Sequence, residues 1–270
     1  MKTSIEGIDE VDMKKNIVNM LKYLFDCAFL SNANVTLSEK IRRTCCKRLF
    51  SLLSDLSNNN ASRISGEWAV HIHQHWSEQE RKSVRFVKKK TVAHEKGRKV
   101  LLSLLKKLDK LIDTAEIGAK NSNNGIAECA LKTDQYKAYK SYVLHIGFQL
   151  LPGVGNDDDG DQALSDITEL QAIFDNLFTP AGEETFKQKM PKKDKIENND
   201  NVKKNLIVHI LDHEVDSSVT PDASSVFVDF LLGSLSRPGS FNQRLLRDVS
   251  KSVFGVMSSL LSARAISNML

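Results

Sequence analysis

Glycine and proline are scarce in this 270-residue chain, at thirteen and five residues. That is too few for the many tight turns of a β-sandwich or barrel. Aromatic residues make up only 7%, which suits stacked helices better than sheet-on-sheet packing. No apolar run approaches the roughly 18 residues of a membrane span. The start, Met1-Lys2-Thr3-Ser4, runs into acidic residues instead of the apolar core of a signal peptide. The four cysteines, Cys27, Cys45, Cys46 and Cys129, form neither a CxxC pair nor a disulfide framework. Together these absences lead us to expect a soluble protein of a reducing compartment, without membrane contact. Apolar residues at 41% suffice for a core and exclude wholesale disorder.

The apolar residues that are present recur at helical spacing. Asp9–Leu30 and Leu37–Leu56 each carry one such stripe, and Thr36 is placed as the N-cap of the second. Residues 66–80 form a short helix with Trp68 and Trp76, followed by a long amphipathic helix over Thr91–Asp113. Residues 118–125 read as a loop, 132–151 as a helix, 152–161 as an acidic turn and 163–178 as a helix. Between Thr179 and about Val202 apolar residues almost vanish, which predicts a disordered linker or insertion. The run Leu206–Leu211 fits a strand or a buried helix, and the all-α context favours helix.

Near the C-terminus, Val226, Phe227, Phe230, Leu231 and Leu235 share one stripe, and Ser236-Arg237-Pro238-Gly239-Ser240 breaks the helix. A second helix gathers Leu245, Leu246, Val249, Val253, Val256, Met257 and Leu260 on one half, with Arg244, Arg247, Asp248 and Lys251 on the other. The Arg247/Asp248 pair is expected to tie adjacent layers together or flank the core stripe, with contact to a partner as the sharper alternative. A third helix starts at Ser262 and is cut at Leu270, as expected of a partial repeat array. An αα-hairpin of this kind buries little alone and needs neighbours on both sides.

Charge is unevenly placed. Twelve lysines and arginines stand in residues 81–110 against Glu95 and Asp109, a formal +10, while the whole chain carries only +4. On a helix through 96–112, Val100, Leu101, Leu104, Leu105, Leu108, Leu111 and Ile112 cover one arc. Lys96, Lys99, Lys106, Lys107 and Lys110 cover a separate arc of about 100°. A ridge of ammonium groups on a packed helix suits a phosphate backbone, where affinity comes from counterion release. Lys88, Lys89 and Lys90 extend the candidate site. The bland alternative is a solvated face, with Lys88–Lys90 as an import signal. Phe86 is the one aromatic interleaved with the lysines, so base stacking is not expected and binding should ignore sequence.

Other motifs carry less. His71 and His75 share a helical face while His73 points away, so three ligands do not converge on one metal and ordinary polar surface is expected. Asp157-Asp158-Asp159-Gly160-Asp161 fails the calcium-loop register, because Gly155 would stand where the first carboxylate belongs. Leu151-Pro152-Gly153-Val154-Gly155 lacks the Gly-Lys-Ser/Thr of a phosphate loop. Cys45 and Cys46 are expected as buried thiols. No pair of acids suggests a two-metal centre, so neither an enzyme nor a cofactor is expected.

FLLGSLSRP (230–238), LLRDVSKSVFG (245–255) and the LS-x-R-x-I start of the next helix resemble the DNA polymerase phi family. KRLFSLLSDLS (47–57), Trp68-Ala69-Val70-His71 and YVLHIGFQLLP (142–152) extend the likeness upstream. The resemblance implies a HEAT- or armadillo-like solenoid, all-α, in which helix pairs stack into a right-handed superhelix. It also implies a nuclear, nucleolar scaffold in ribosomal RNA gene transcription or ribosome biogenesis. Its partners would be nonspecific DNA or RNA and proteins of the transcription or pre-ribosome machinery. Residues 1–178 form one helical-repeat region on this reading, 179–202 a linker holding an import-like lysine tract, and 203–270 a repeat hairpin. The rival readings are a solenoid that binds only proteins, and an enzyme whose site has no recognisable motif.

Overall fold

The computed structural model describes residues 10–31, 36–58, 66–121, 126–152, 159–178, 223–236 and 243–258. The expected linker at 179–202, the run 206–211, the break at 237–240 and the helix from Ser262 lie outside them. Eight α-helices make up the described residues: α1 (Glu10–Phe29), α2 (Glu39–Asn58), α3 (Gly66–Arg81), α4 (Val92–Asn121), α5 (Ile126–Gly147), α6 (Asp159–Phe178), α7 (Ala223–Ser236) and α8 (Gln243–Met257). A 3-10 turn, Phe148–Leu150, follows α5. No strand occurs among the described residues, only an isolated bridge between Leu30 and Phe86. The fold is all-α and built of packed helix pairs, α1 on α2, α4 on α5 and α7 on α8.

Several boundaries differ from the sequence expectation for physical reasons. Ser38 rather than Thr36 caps α2, its hydroxyl accepting from the Ile41 amide at 3.4 Å. The long helix continues to Asn121 through the expected loop, with Gly118 facing the Cys129 sulfur of α5. Helix α6 begins four residues early, at Asp159, where carboxylates favour a helix N-terminus. Gly160 packs against the His94 ring so closely that a Cβ would lie 2.8 Å from it, which ties this start to α4.

Helix α5 is the hub of the core. Its Tyr139, Tyr142, Val143, Leu144 and Ile146 are all essentially inaccessible to solvent, because α3, α4, α6 and α8 surround it. The Tyr139 hydroxyl donates to the Leu170 carbonyl of α6 at 2.6 Å, and that of Tyr142 pairs with the Ser234 hydroxyl of α7 at 2.7 Å. Helix α8 buries Leu245, Leu246, Val249, Val253 and Met257, filling the space between α5 and α2. The C-terminal hairpin thus packs onto the second helix of the chain as well as its closer neighbours. Asp248 accepts from Ser54 of α2 at 2.5 Å, and Arg244 reaches Asp55 at 3.0 Å. Asp248 therefore joins layers as expected, while Arg247 is exposed.

Candidate nucleic-acid interface

Helix α4 presents its lysines because its opposite face is committed to the core. Leu101, Leu104, Leu105, Leu108 and Ile112 are buried against α5 and α6. That contact fixes the helix's rotation and leaves Lys96, Lys99, Lys106 and Lys110 exposed on the outer side. Between Lys96 and Lys110 the helix rises about 21 Å. Among the described residues no carboxylate pairs with any of these four lysines.

The remaining candidates divide. Lys107 is half-buried and turned to α6, with its ammonium 2.7 Å from the Asp175 carboxylate and 5.8 Å from the Phe174 ring centre. Lys90 pairs with Glu80 of α3 and lies 4.8 Å from the Phe86 ring centre. Lys88 reaches Glu39 of α2 at 3.9 Å. Lys89 is exposed and has no ion pair among the described residues. The structure therefore gathers Lys96, Lys99, Lys106 and Lys110 into one face without ion pairs among the described residues and draws Lys88, Lys90 and Lys107 toward acids of neighbouring helices.

Two acids near the ridge are occupied, Asp109 by Lys140 of α5 and Asp175 by Lys107, while Glu95 and Asp113 of α4 are exposed along the edge of the lysine arc. The loop before α4 is held in place by backbone bonds from Ser31 to the Arg85 carbonyl and from Val87 to the Phe29 carbonyl, at 2.8 and 2.9 Å. Ser83 turns the chain out of α3 with a positive φ of 56°.

Arg98 belongs to the basic segment by sequence but not by placement. Only 7% exposed, its guanidinium carbon lies 3.7 Å from the Trp76 ring centre. Its Nε donates to Glu80 at 3.0 Å and its Nη2 to the Ser77 hydroxyl at 2.8 Å. Burial pulls the Arg98 guanidinium below its ordinary range, against the pull of Glu80. Burial also opposes the ionised form of Glu80, but Lys90 and Arg98 outweigh it and hold the carboxyl below its usual value. The signal was available in the sequence. At 100° per residue Arg98 falls about 200° from Lys96, at the edge of the apolar arc.

Two of the three alternating histidines, His73 and His75, are not the polar surface expected, while His71 is half-buried. His75 is buried, pairing with Asp26 of α1 at 2.7 Å beside the Phe25 ring. His73 faces the opposite way, toward Arg98 and Lys140, and burial with these cations pushes it down to about 3. Helix α3 is packed between α1 and α5, so both of its faces are internal. Cys45 likewise departs from the buried thiol expected. It is only half-buried, while Cys46 is buried.

An all-α stack of helix pairs carrying one free lysine face is the class that these observations define. The chain belongs to the DNA polymerase phi family, whose profile matches residues 4–270. Neither the comparison with curated proteins nor that with solved structures finds a match. No helix among the described residues is long and apolar enough to cross a membrane.

Proposed function

We propose that this protein is a non-enzymatic nucleolar scaffold that contacts nucleic acid without sequence preference, through the lysine face of α4. Its setting would be ribosomal RNA gene transcription or ribosome biogenesis, the role implied by the resemblance to the family. The observation that carries the reading is the exposure of Lys96, Lys99, Lys106 and Lys110 without a carboxylate partner among the described residues. Ammonium groups in such a row displace counterions from a phosphate backbone at little cost to folding. Base readout would need aromatic platforms or planar amides on the same face, and the ridge carries neither. Stacked helix pairs would supply grooves for protein partners.

The test is the salt dependence of binding to duplex DNA and to RNA of random sequence. Each phosphate neutralised contributes about −0.9 to the slope of log affinity against log salt for duplex DNA. Replacing Lys99, Lys106 and Lys110 with Glu should flatten that slope by about 3 units and weaken all sequences alike. A folded triple variant that binds with an unchanged slope would leave a scaffold that binds proteins only.

A further inference from the structure

Beyond the lysine face, helix α8 carries a second outward arc of different chemistry. Its Leu245, Leu246, Val249, Val253 and Met257 are buried against α2, α5 and α7, which turns the opposite side to solvent. Arg247, Lys251 and Phe254 are exposed there and fall within about 60° of one another. They follow each other at rises of about 6 and 4.5 Å along the helix. Among the described residues neither cation has an ion pair, and neither a cation nor a second ring covers Phe254. Asp248, the one acid of α8, sits at the edge of the arc, where it accepts from Ser54 of α2 and lies 3.9 Å from Arg244. Beside the ring, nothing among the described residues lies within 4 Å of a Cβ built on Gly255, so the space around Phe254 is open.

The rings near the α4 lysines are already engaged, Phe86 by Lys90 and Phe174 by Lys107. Tyr23 is the other exposed aromatic among the described residues, but an arc of the same width around it on α1 holds exposed Asp12, Asn16, Asn19 and Met20 and no cation. Phe254 is thus the exposed ring that stands between unpaired cations. We propose that this arc of α8 binds a single-stranded nucleic acid, with a base stacked on Phe254 and neighbouring phosphates held by Arg247 and Lys251.

An unpaired strand offers the flat face of a base and its phosphates to the same short arc, whereas a duplex keeps its base faces stacked inside. Arg247 presents a planar fork from which two phosphate oxygens can accept, and Lys251 adds a point charge one turn on. A phenylalanine ring has no donor or acceptor for base edges, so the stack tolerates any base. A peptide carboxylate would satisfy the two cations and leave the ring bare. The site shares no residue with the lysine face of α4 and does not rest on it.

The experiment follows fluorescence anisotropy of the whole chain with oligouridine and oligodeoxythymidine strands of about 12 nucleotides, and with a duplex of the same length. Phe254→Leu keeps an apolar side chain but removes the aromatic face. It should weaken both single strands about 10-fold and leave the duplex unchanged. Phe254→Trp should bind the single strands at least as tightly as the native protein. Arg247→Gln and Lys251→Gln should each lower the single-strand salt slope by about 0.7. All three positions are exposed, so the variants should keep their helical circular dichroism. The loss in Phe254→Leu should persist in a protein that also carries Lys99→Glu, Lys106→Glu and Lys110→Glu, which separates this site from the α4 face. Single-strand affinity unchanged in Phe254→Leu, an equal loss on the duplex, or weak binding in Phe254→Trp would overturn the stacking site. In the protein with the three α4 reversals, polyglutamate competing as well as oligouridine would overturn it in favour of an acidic protein partner.

Discussion

Leu150 lies over Gly97 of α4 so closely that a Cβ at position 97 would come within 2.5 Å of its Cδ2 atom. The relationship is reciprocated one turn on. Leu101 covers Gly147 of α5, where an added Cβ would meet Leu101 Cδ2 at 2.7 Å. Helix α4 offers a glycine to Leu150 of the 3-10 turn after α5, and α5 offers one to Leu101 of α4, and this close crossing seats α4 on α5. The rotation of α4, and with it the outward direction of the lysines, depends on that seat.

Helix propensity alone favours alanine over glycine by about 1 kcal/mol in a helix interior. Gly97→Ala should nonetheless destabilise the protein by about 1–3 kcal/mol, because Leu150 is buried and has no free space to move into. Gly255→Ala in α8 should show the opposite sign, a gain of about 0.5–1 kcal/mol, since nothing lies within 4 Å of the added Cβ. Urea denaturation of both variants checks the pair. Equal signs would mean that the crossing is looser than described.

Arg98→Ala should destabilise by about 2–4 kcal/mol, because it leaves Glu80 and Ser77 short of a partner and uncovers Trp76. The salt slope of nucleic-acid binding in the folded variant should stay that of the native protein, since the buried guanidinium does not face the ridge. Charge reversal at Lys99, Lys106 and Lys110 should behave inversely. Stability should change by no more than about 0.5 kcal/mol per site while the salt slope falls. Measuring denaturation and binding on the same samples separates the two roles of one basic segment.

Acid should weaken the fold before its carboxylates titrate. Burial pushes His145 down to about 4, and burial together with Arg98 and Lys140 pushes His73 down to about 3. In the unfolded chain both would titrate near the ordinary histidine value of 6.5. Above that value both are neutral in either state and their contribution to stability is complete. As pH falls below it the unfolded chain takes up protons that the folded one refuses. Stability should then fall by up to about 1.4 kcal/mol per pH unit for each histidine, until its folded value is passed. Replacing His145 with Gln should reduce that slope between pH 6 and 4, read from denaturation midpoints at each pH.

Asp248→Ala should cost about 1–3 kcal/mol, since the Ser54 hydroxyl of α2 would lose its acceptor while remaining buried. The double variant with Ser54→Ala should cost less than the two single changes combined, because the second removes the group that the first strands. Additive losses in denaturation experiments would mean that the bond does not couple α8 to α2.

Helix positions and their inward faces were legible in the sequence, because hydrophobic periodicity is a property of residues a turn apart. Leu101, Leu104, Leu105 and Leu108 mark their own buried arc, and Lys96, Lys99, Lys106 and Lys110 follow as the opposite one. Residues 230–238 and 245–255 likewise carried the family likeness before any contact was known. Pairing was a matter for the tertiary structure alone. Lys107 and Lys110 share an arc, yet Lys107 meets Asp175 of α6 and Lys110 meets no acid among the described residues. Ser54 finds Asp248 only because α8 and α2 pack where they do. Periodicity fixes which side of a helix turns inward, while the partner waiting there comes from a distant part of the chain.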